Sequence, residues 1–248
     1  MINPITFFLL ARKRHNGYNN GDYEHYFRFQ EYQVQHVLKE IITRGKIKLT
    51  GMKMLELAVG IGGYSPTLKK EFKNIVINDI RVPYVTTIDN TIEFKQFNVI
   101  EDYPFPDNSF DFVFCSSVIE HIDQPEKMYA QIKRILRPGG YAFISFPPFY
   151  SPVGGHGFKP FHYLGERAAI KITNKIYHKN IKSYATMYSR DYGTYGLYQR
   201  KISTTKKDLL KYFTIIDYWT RFSPLNTAKI PILNEVLTWH VSFLVQKK

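Results

Sequence analysis

"MLELAVGIGGYS" occupies residues 54–65, and its reading decides the fold. An apolar run broken only by Glu56 predicts a β-strand over 53–58. Glycines 60, 62 and 63 follow, and they let the backbone approach a ligand closely and adopt positive φ. Ser65 and Pro66 then suit the first turn of a helix over 65–72. A dinucleotide fingerprint, G-x-G-x-x-G, would need a third glycine where Ser65 stands and has no use for an acid inside the strand. Hydride chemistry with NAD is therefore the weaker reading.

Outward from this stretch, the pattern alternates. A helix over 23–42 carries Phe27, Val34, Val37, Leu38, Ile41 and Ile42 on one side. Further strands are predicted over 74–79, 94–99, 110–116 and 141–146. A helix over 125–136 is stopped by Pro138-Gly139-Gly140. Strands alternating with helices imply a mostly parallel sheet covered on both faces. The rhythm breaks at 147–202, which is rich in Tyr, Gly and Lys. That stretch holds nine Lys/Arg against two acids, more than half of the chain's net charge of +13. A helix from 203, with Ser203 or Thr204 as its cap, and strands over 214–222 and 237–247 close the chain.

Length and composition agree with this layout. At 248 residues and 44% hydrophobic content, the chain can build one large α/β domain. The single cysteine, Cys115, excludes a disulfide framework and a cysteine-rich zinc site, and fits a reducing, cytoplasmic setting. The apolar run near the amino terminus is short and its positive charges follow it, so neither a signal peptide nor a membrane span is expected. A peripheral membrane contact through Phe7, Phe8, Leu9 and Leu10 with Arg12, Lys13 and Arg14 competes with a terminal helix packed on its own domain. The positive charge suits an anionic partner: nucleic acid, lipid headgroups or phosphorylated glycan precursors.

With these pieces in place, Glu56-Leu57-Ala58-Val59-Gly60-Ile61-Gly62 resembles the E/D-x-G-x-G-x-G motif of class I S-adenosylmethionine-dependent methyltransferases of the type 11 kind. Ala58 replaces the first glycine. "FNVIEDYPFPDNSFDFVFCSSVIEHI", residues 97–122, is similar to the family's segment around strand four, and "RILRPGGYAFIS" to its turn into strand five. The resemblance covers residues 52–147. It implies an α/β Rossmann-like fold with a seven-stranded, mostly parallel sheet, helices on both faces and an insertion after strand five. One domain over 1–248 is implied: a helical cap (1–50), a cofactor-binding core (51–147), an acceptor-lid insertion (148–202) and the last core strands (203–248). S-adenosyl-L-methionine would meet Glu56, Ala58, Gly60, Gly62, Asp79, Ile80, Asn98, Val99 and Ser116. Asp79 would take the ribose hydroxyls, and Asn98 with the Val99 backbone the adenine. Tyr18, Tyr23, Tyr26 and Phe27 are candidates to cover the methionine end.

The acceptor is less constrained. "FPPFY" imitates the N/D-P-P-Y/F motif of amine methylation, but it follows strand five and lacks the Asn or Asp. A hydroxyl acceptor is expected instead, on a sugar, glycolipid or other small anionic molecule, and it needs a base. His121 is the first candidate, with His156 and His162 after it. Tyr150, His156 and His162 are the candidate acceptor contacts. His156 and His162 lack the companions of a metal site, so no metal is expected. RNA or protein acceptors, and a catalytically silent cofactor-binding subunit acting through its basic insertion, are the alternatives.

Overall fold

The computed structural model describes residues 6, 9–11, 13, 23–72, 74–187, 196–223 and 225–248. Phe7, Phe8, Arg12, Arg14, Tyr18, Arg190 and Asp191 lie outside the described residues. Helix α1 (Glu24–Gly45) forms because Val34, Val37, Leu38 and Ile41 fall on one face, and all four are buried. It ends at Lys46 in the left-handed conformation. There follow β1 (Lys53–Leu57), α2 (Ser65–Phe72), β2 (Asn74–Asp79), α3 (Val85–Ile88), β3 (Glu93–Gln96) and β4 (Phe110–Ser116). Then come α4 (Pro125–Ile135), β5 (Leu136–Phe146), α5 (Glu166–Tyr177), α6 (Ile202–Tyr212), β6 (Phe213–Thr220), α7 (Asn234–Leu237) and β7 (Val241–Lys247).

Among the described residues, seven strands form one sheet in the order β3-β2-β1-β4-β5-β7-β6. Strands β1 to β5 pair in parallel, and β7 runs antiparallel to both β5 and β6. Alternation along β4 divides the core. Phe112 and Phe114 join the cluster under α1 and α2, whereas Val113 and Cys115 join the one under α4 and α6. Phe114 stacks on Phe143 at 4.8 Å, and burial of each such ring contributes about 1.5–3 kcal/mol. The α/β, mostly parallel sheet with helices on both faces is as expected.

Several local expectations change. Strand β5 begins at Leu136, and the Pro-Gly-Gly is accommodated by a register shift against β4 between Phe110 and Phe112. Strand β7 starts at Val241, leaving residues 237–240 outside the sheet. Neither Ser203 nor Thr204 caps α6. Glu235 instead accepts hydrogen bonds from the Ile202 and Ser203 amides, at 2.8 and 3.0 Å.

Residues 147–201 carry α5 and a small apolar cluster of Phe149, Phe158, Ala169, Tyr184 and Leu197. This segment is tied to the loop after β4. The Tyr198 amide donates to the Glu120 carbonyl at 2.8 Å, and the Gly196 amide to the His121 carbonyl at 3.2 Å. Arg200 donates to the carbonyls of Ile119, Ile122 and Asp123. No helix among the described residues is long and apolar enough to cross a membrane.

Candidate functional site

The strand order reverses between β1 and β4, and in open α/β sheets ligands bind at the carboxyl ends of strands at such a point. A cavity of about 200 Å³ lies there. Glu56, Ala58 and Gly60 line it from the β1 side, Ser116 and Ser117 from β4, and Tyr26 from α1. Two non-glycine residues at these strand ends have left-handed backbones, Ala58 at φ 51° and Ser117 at φ 60°. Strain of this kind costs of order 1–3 kcal/mol and concentrates at ligand sites.

The three glycines of the turn do different work. A Cβ on Gly62 would sit 2.3 Å from Val85, and one on Gly63 within 2.9 Å of both Gln30 and Tyr26. Those two are required by packing. A Cβ on Gly60 would meet nothing within 4 Å. Gly60 and Gly63 both line the cavity, and Gly60, at φ 61°, is the one with open space where a Cβ would stand.

The acids are held firmly. The Glu56 carboxyl is 3% exposed and accepts from Ser65 Oγ at 2.7 Å; burial pushes it up to about 8. Asp79 ends β2 and accepts from the Gly60 amide at 2.8 Å and the Arg81 amide at 3.2 Å. Burial raises its carboxyl above the usual range, and those amides oppose the rise. The Ile80 carbonyl accepts from Gln96. Asn98 Oδ1 accepts from the Ile100 amide, and the buried Val99 carbonyl from Tyr103 Oη. Of the aromatics expected near the methionine end, Tyr26 lines the cavity, whereas Tyr23 and Phe27 pack around Tyr84.

Two residues that the sequence reading missed stand behind the cavity lining. Arg221 is 2% exposed and donates to Ser116 Oγ at 3.0 Å and Tyr64 Oη at 2.7 Å. Its Nε has no partner, and it forms no ion pair with a carboxylate among the described residues. His240 Nε2 lies 3.1 Å from Ser117 Oγ. Burial, with repulsion from Arg221 behind it, lowers the His240 ring well below the ordinary histidine value. The signal that could have found both is topological. β6 ends, and antiparallel β7 begins, at the edge where the parallel strands end, because Thr220 and Phe146 both face Val241.

The predicted histidines divide. The rings of His121 and His156 meet edge to face, 4.9 Å apart, beside the Glu120 carboxyl. His162 is 1% exposed, bonds the Ser151 carbonyl through Nε2 and packs on Phe149. Its ring is thus enclosed within the segment after β5 and does not line the cavity between β1 and β4. Tyr150 is partly exposed, with the Lys201 ammonium 5.5 Å from its ring centre.

Residues 55–144 match the family model of a methyltransferase domain. An uncharacterised methyltransferase of Mycobacteroides abscessus is 31% identical over 147 residues, 58% of this chain and 54% of that protein. Another, from Mycobacterium avium (strain 104), is 38% identical over 84 residues, 34% of this chain and 33% of that protein. The chain thus spans from about a third to about half the length of these relatives. The crystal structure of an S-adenosylmethionine-dependent methyltransferase from Mesorhizobium loti has the same fold. Its TM-score is 0.57 at 14% identity, covering 84% of this chain and 97% of that one. The matched segment is thus similar to methyltransferase domains, and the fold around it is shared with a solved S-adenosylmethionine-dependent methyltransferase.

Proposed function

We propose that this chain transfers a methyl group from S-adenosylmethionine to a hydroxyl of a small anionic acceptor, a sugar or glycolipid. The observation that carries the reading is the cavity at the β1/β4 switch point, with open space beside Gly60 and a serine–histidine pair at its rim. When bound, S-adenosylmethionine supplies a methyl group on a sulfonium. The residues present suit it. Asp79 stands at the end of β2 for the ribose hydroxyls, and Asn98 with the Val99 backbone for the adenine. Glu56, Ala58, Gly60 and Ser116 enclose the remainder, with Gly62 shaping the turn. Arg221, buried and in no ion pair among the described residues, places positive potential behind Ser116 and Tyr64, where the carboxylate of the cofactor would be favoured.

His240 takes the part of the base. Burial favours its neutral ring, and its Nε2 lies against Ser117 Oγ, which lines the cavity. A positioned base of this kind contributes typically 10²–10⁴-fold. The segment after β5, docked on the loop after β4 through Gly196 and Tyr198 and rich in Lys and Arg, supplies charge for an anionic group. Tyr150 and His156 are its acceptor contacts.

A tritiated-methyl transfer screen over glycan, lipid, RNA and protein fractions tests the proposal. Label in a glycan or glycolipid fraction is the expected result. Label confined to RNA or protein would replace the acceptor class. No label in any fraction while the cofactor binds would leave a silent subunit.

A further inference from the structure

We propose that Glu120, His121 and His156 form a binding site for a divalent transition metal, outside the cofactor cavity. Glu120 lies in the loop after β4, is 1% exposed, and among the described residues has no hydrogen-bond partner on either carboxylate oxygen. A buried carboxyl left in that state costs roughly 1–3 kcal/mol or more unless something satisfies it. The nearest guanidinium does not do so, because Arg200 gives its Nε and Nη2 protons to the carbonyls of Ile119, Ile122 and Asp123.

The two histidines are oriented as ligands are. His121 Nδ1 bonds the Gly196 carbonyl and His156 Nδ1 the Gly154 carbonyl, each at 2.9 Å. A carbonyl can only accept, so each neutral ring carries its proton on Nδ1 and its lone pair on Nε2. Metal-bound histidines are fixed by the same outer bond to a carbonyl. His121 Nε2 lies 4.0 Å from Glu120 Oε1, and one ligand atom from each of the three residues lies within 4.8 Å of the others. Around a tetrahedral ion with bonds of about 2.0–2.2 Å, ligand atoms are about 3.4 Å apart. Closing the set from separations of at most 4.8 Å requires each pair to approach by about 1.4 Å or less, within reach of side-chain rotations.

His156 holds its place at a cost, since its backbone is left-handed at φ 46°. The three residues come from two segments, the loop after β4 and the turn after β5, both at the carboxyl edge of the sheet. Two imidazoles and one carboxylate suit Zn²⁺, Co²⁺ or Fe²⁺ and leave coordination positions open. The sequence reading had paired His156 with His162 and so expected no metal; the partners of His156 in space are Glu120 and His121.

Chelator-stripped full-length protein titrated with Co²⁺, followed by visible absorbance and by metal analysis after gel filtration, tests the site. One equivalent is expected to bind with a ligand-field band that Zn²⁺ bleaches. Glu120→Gln and His156→Asn should each weaken Co²⁺ by more than about tenfold. Zn²⁺ should raise the melting temperature of the parent and of neither variant. A parent that binds no Co²⁺, or variants that bind as well as the parent, would overturn the proposal. If one variant does not fold, the other and the parent titration still decide. These readouts are independent of methyl transfer and of cofactor binding, so failure here leaves the proposed activity standing.

Discussion

The two sides of the cavity are built on opposite principles. On the side proposed for the cofactor, Glu56, Ala58 and Gly60 come from one continuous stretch, and Asp79, which accepts from the Gly60 amide, comes from the next strand. On the side proposed for the acceptor, Ser117 meets His240 across 123 residues, and at the seam between the two Arg221 meets Tyr64 across 157. Groups that bind a cofactor through backbone conformation are fixed by local sequence, because a strand, a turn and a helix start must be contiguous. Groups that face an acceptor need only arrive at the same sheet edge, and any strand end can deliver them.

This contrast can be broken experimentally. The largest effect is expected from His240→Ala on the acceptor side, a loss of about 10²–10⁴-fold in kcat with cofactor affinity unchanged. In the parent, the acidic limb of the pH–rate profile should fall below the ordinary histidine value, since burial favours the neutral ring. A variant that loses cofactor affinity in proportion would move His240 to the other side of the comparison.

Arg221→Met probes the seam between the sides. Cofactor affinity should fall by about tenfold, the scale of one charge-assisted interaction. The fold should gain stability, because an unpaired buried cation is replaced by an apolar side chain. Calorimetric titration and thermal melting read the two effects separately. Loss of both would make Arg221 a structural support alone.

On the cofactor side, Glu56 links stability to pH. Its folded-state carboxyl, at about 8, binds a proton more tightly than the unfolded one at 4.5. Stability from this group is therefore full below about 4.5 and declines as pH rises toward 8. The slope reaches at most about 1.4 kcal/mol per pH unit. Melting temperatures measured between those limits should fall less steeply in Glu56→Gln. Glu120, also pushed to about 8 by burial, keeps its own slope in both proteins.

Ala58→Gly should have the smallest effect, a gain of about 0.5 kcal/mol. Relief of the left-handed conformation, roughly 1–2 kcal/mol, slightly exceeds the roughly 0.8 kcal/mol lost with one packed methyl. A destabilised variant would show that the methyl's packing outweighs the strain.

The same division explains what the sequence disclosed. The β1-turn-α2 unit and β4 were legible because apolar runs and glycines act over a few residues. Helix α5 was not, although its apolar residues do fall on one side, because it lies in the stretch after β5 where no strand–helix rhythm frames it. The α6 cap was misread because Glu235, more than thirty positions on, outcompetes the local hydroxyls. His240 was hidden inside a predicted strand, and its importance rests on β7 running backward to the carboxyl edge. Likewise, the Glu120–His121–His156 cluster depends on the turn after β5 folding back over the loop after β4.

The central claim is that the cavity between β1 and β4 holds S-adenosylmethionine with Asp79 at its ribose end. Isothermal titration of the parent with S-adenosylmethionine should show one site per chain, and Asp79→Ala should weaken it by about a hundredfold, the loss of two hydrogen bonds to a charged acceptor. A parent that gives no heat and no competition with S-adenosylhomocysteine, or an Asp79→Ala variant of unchanged affinity, would contradict it.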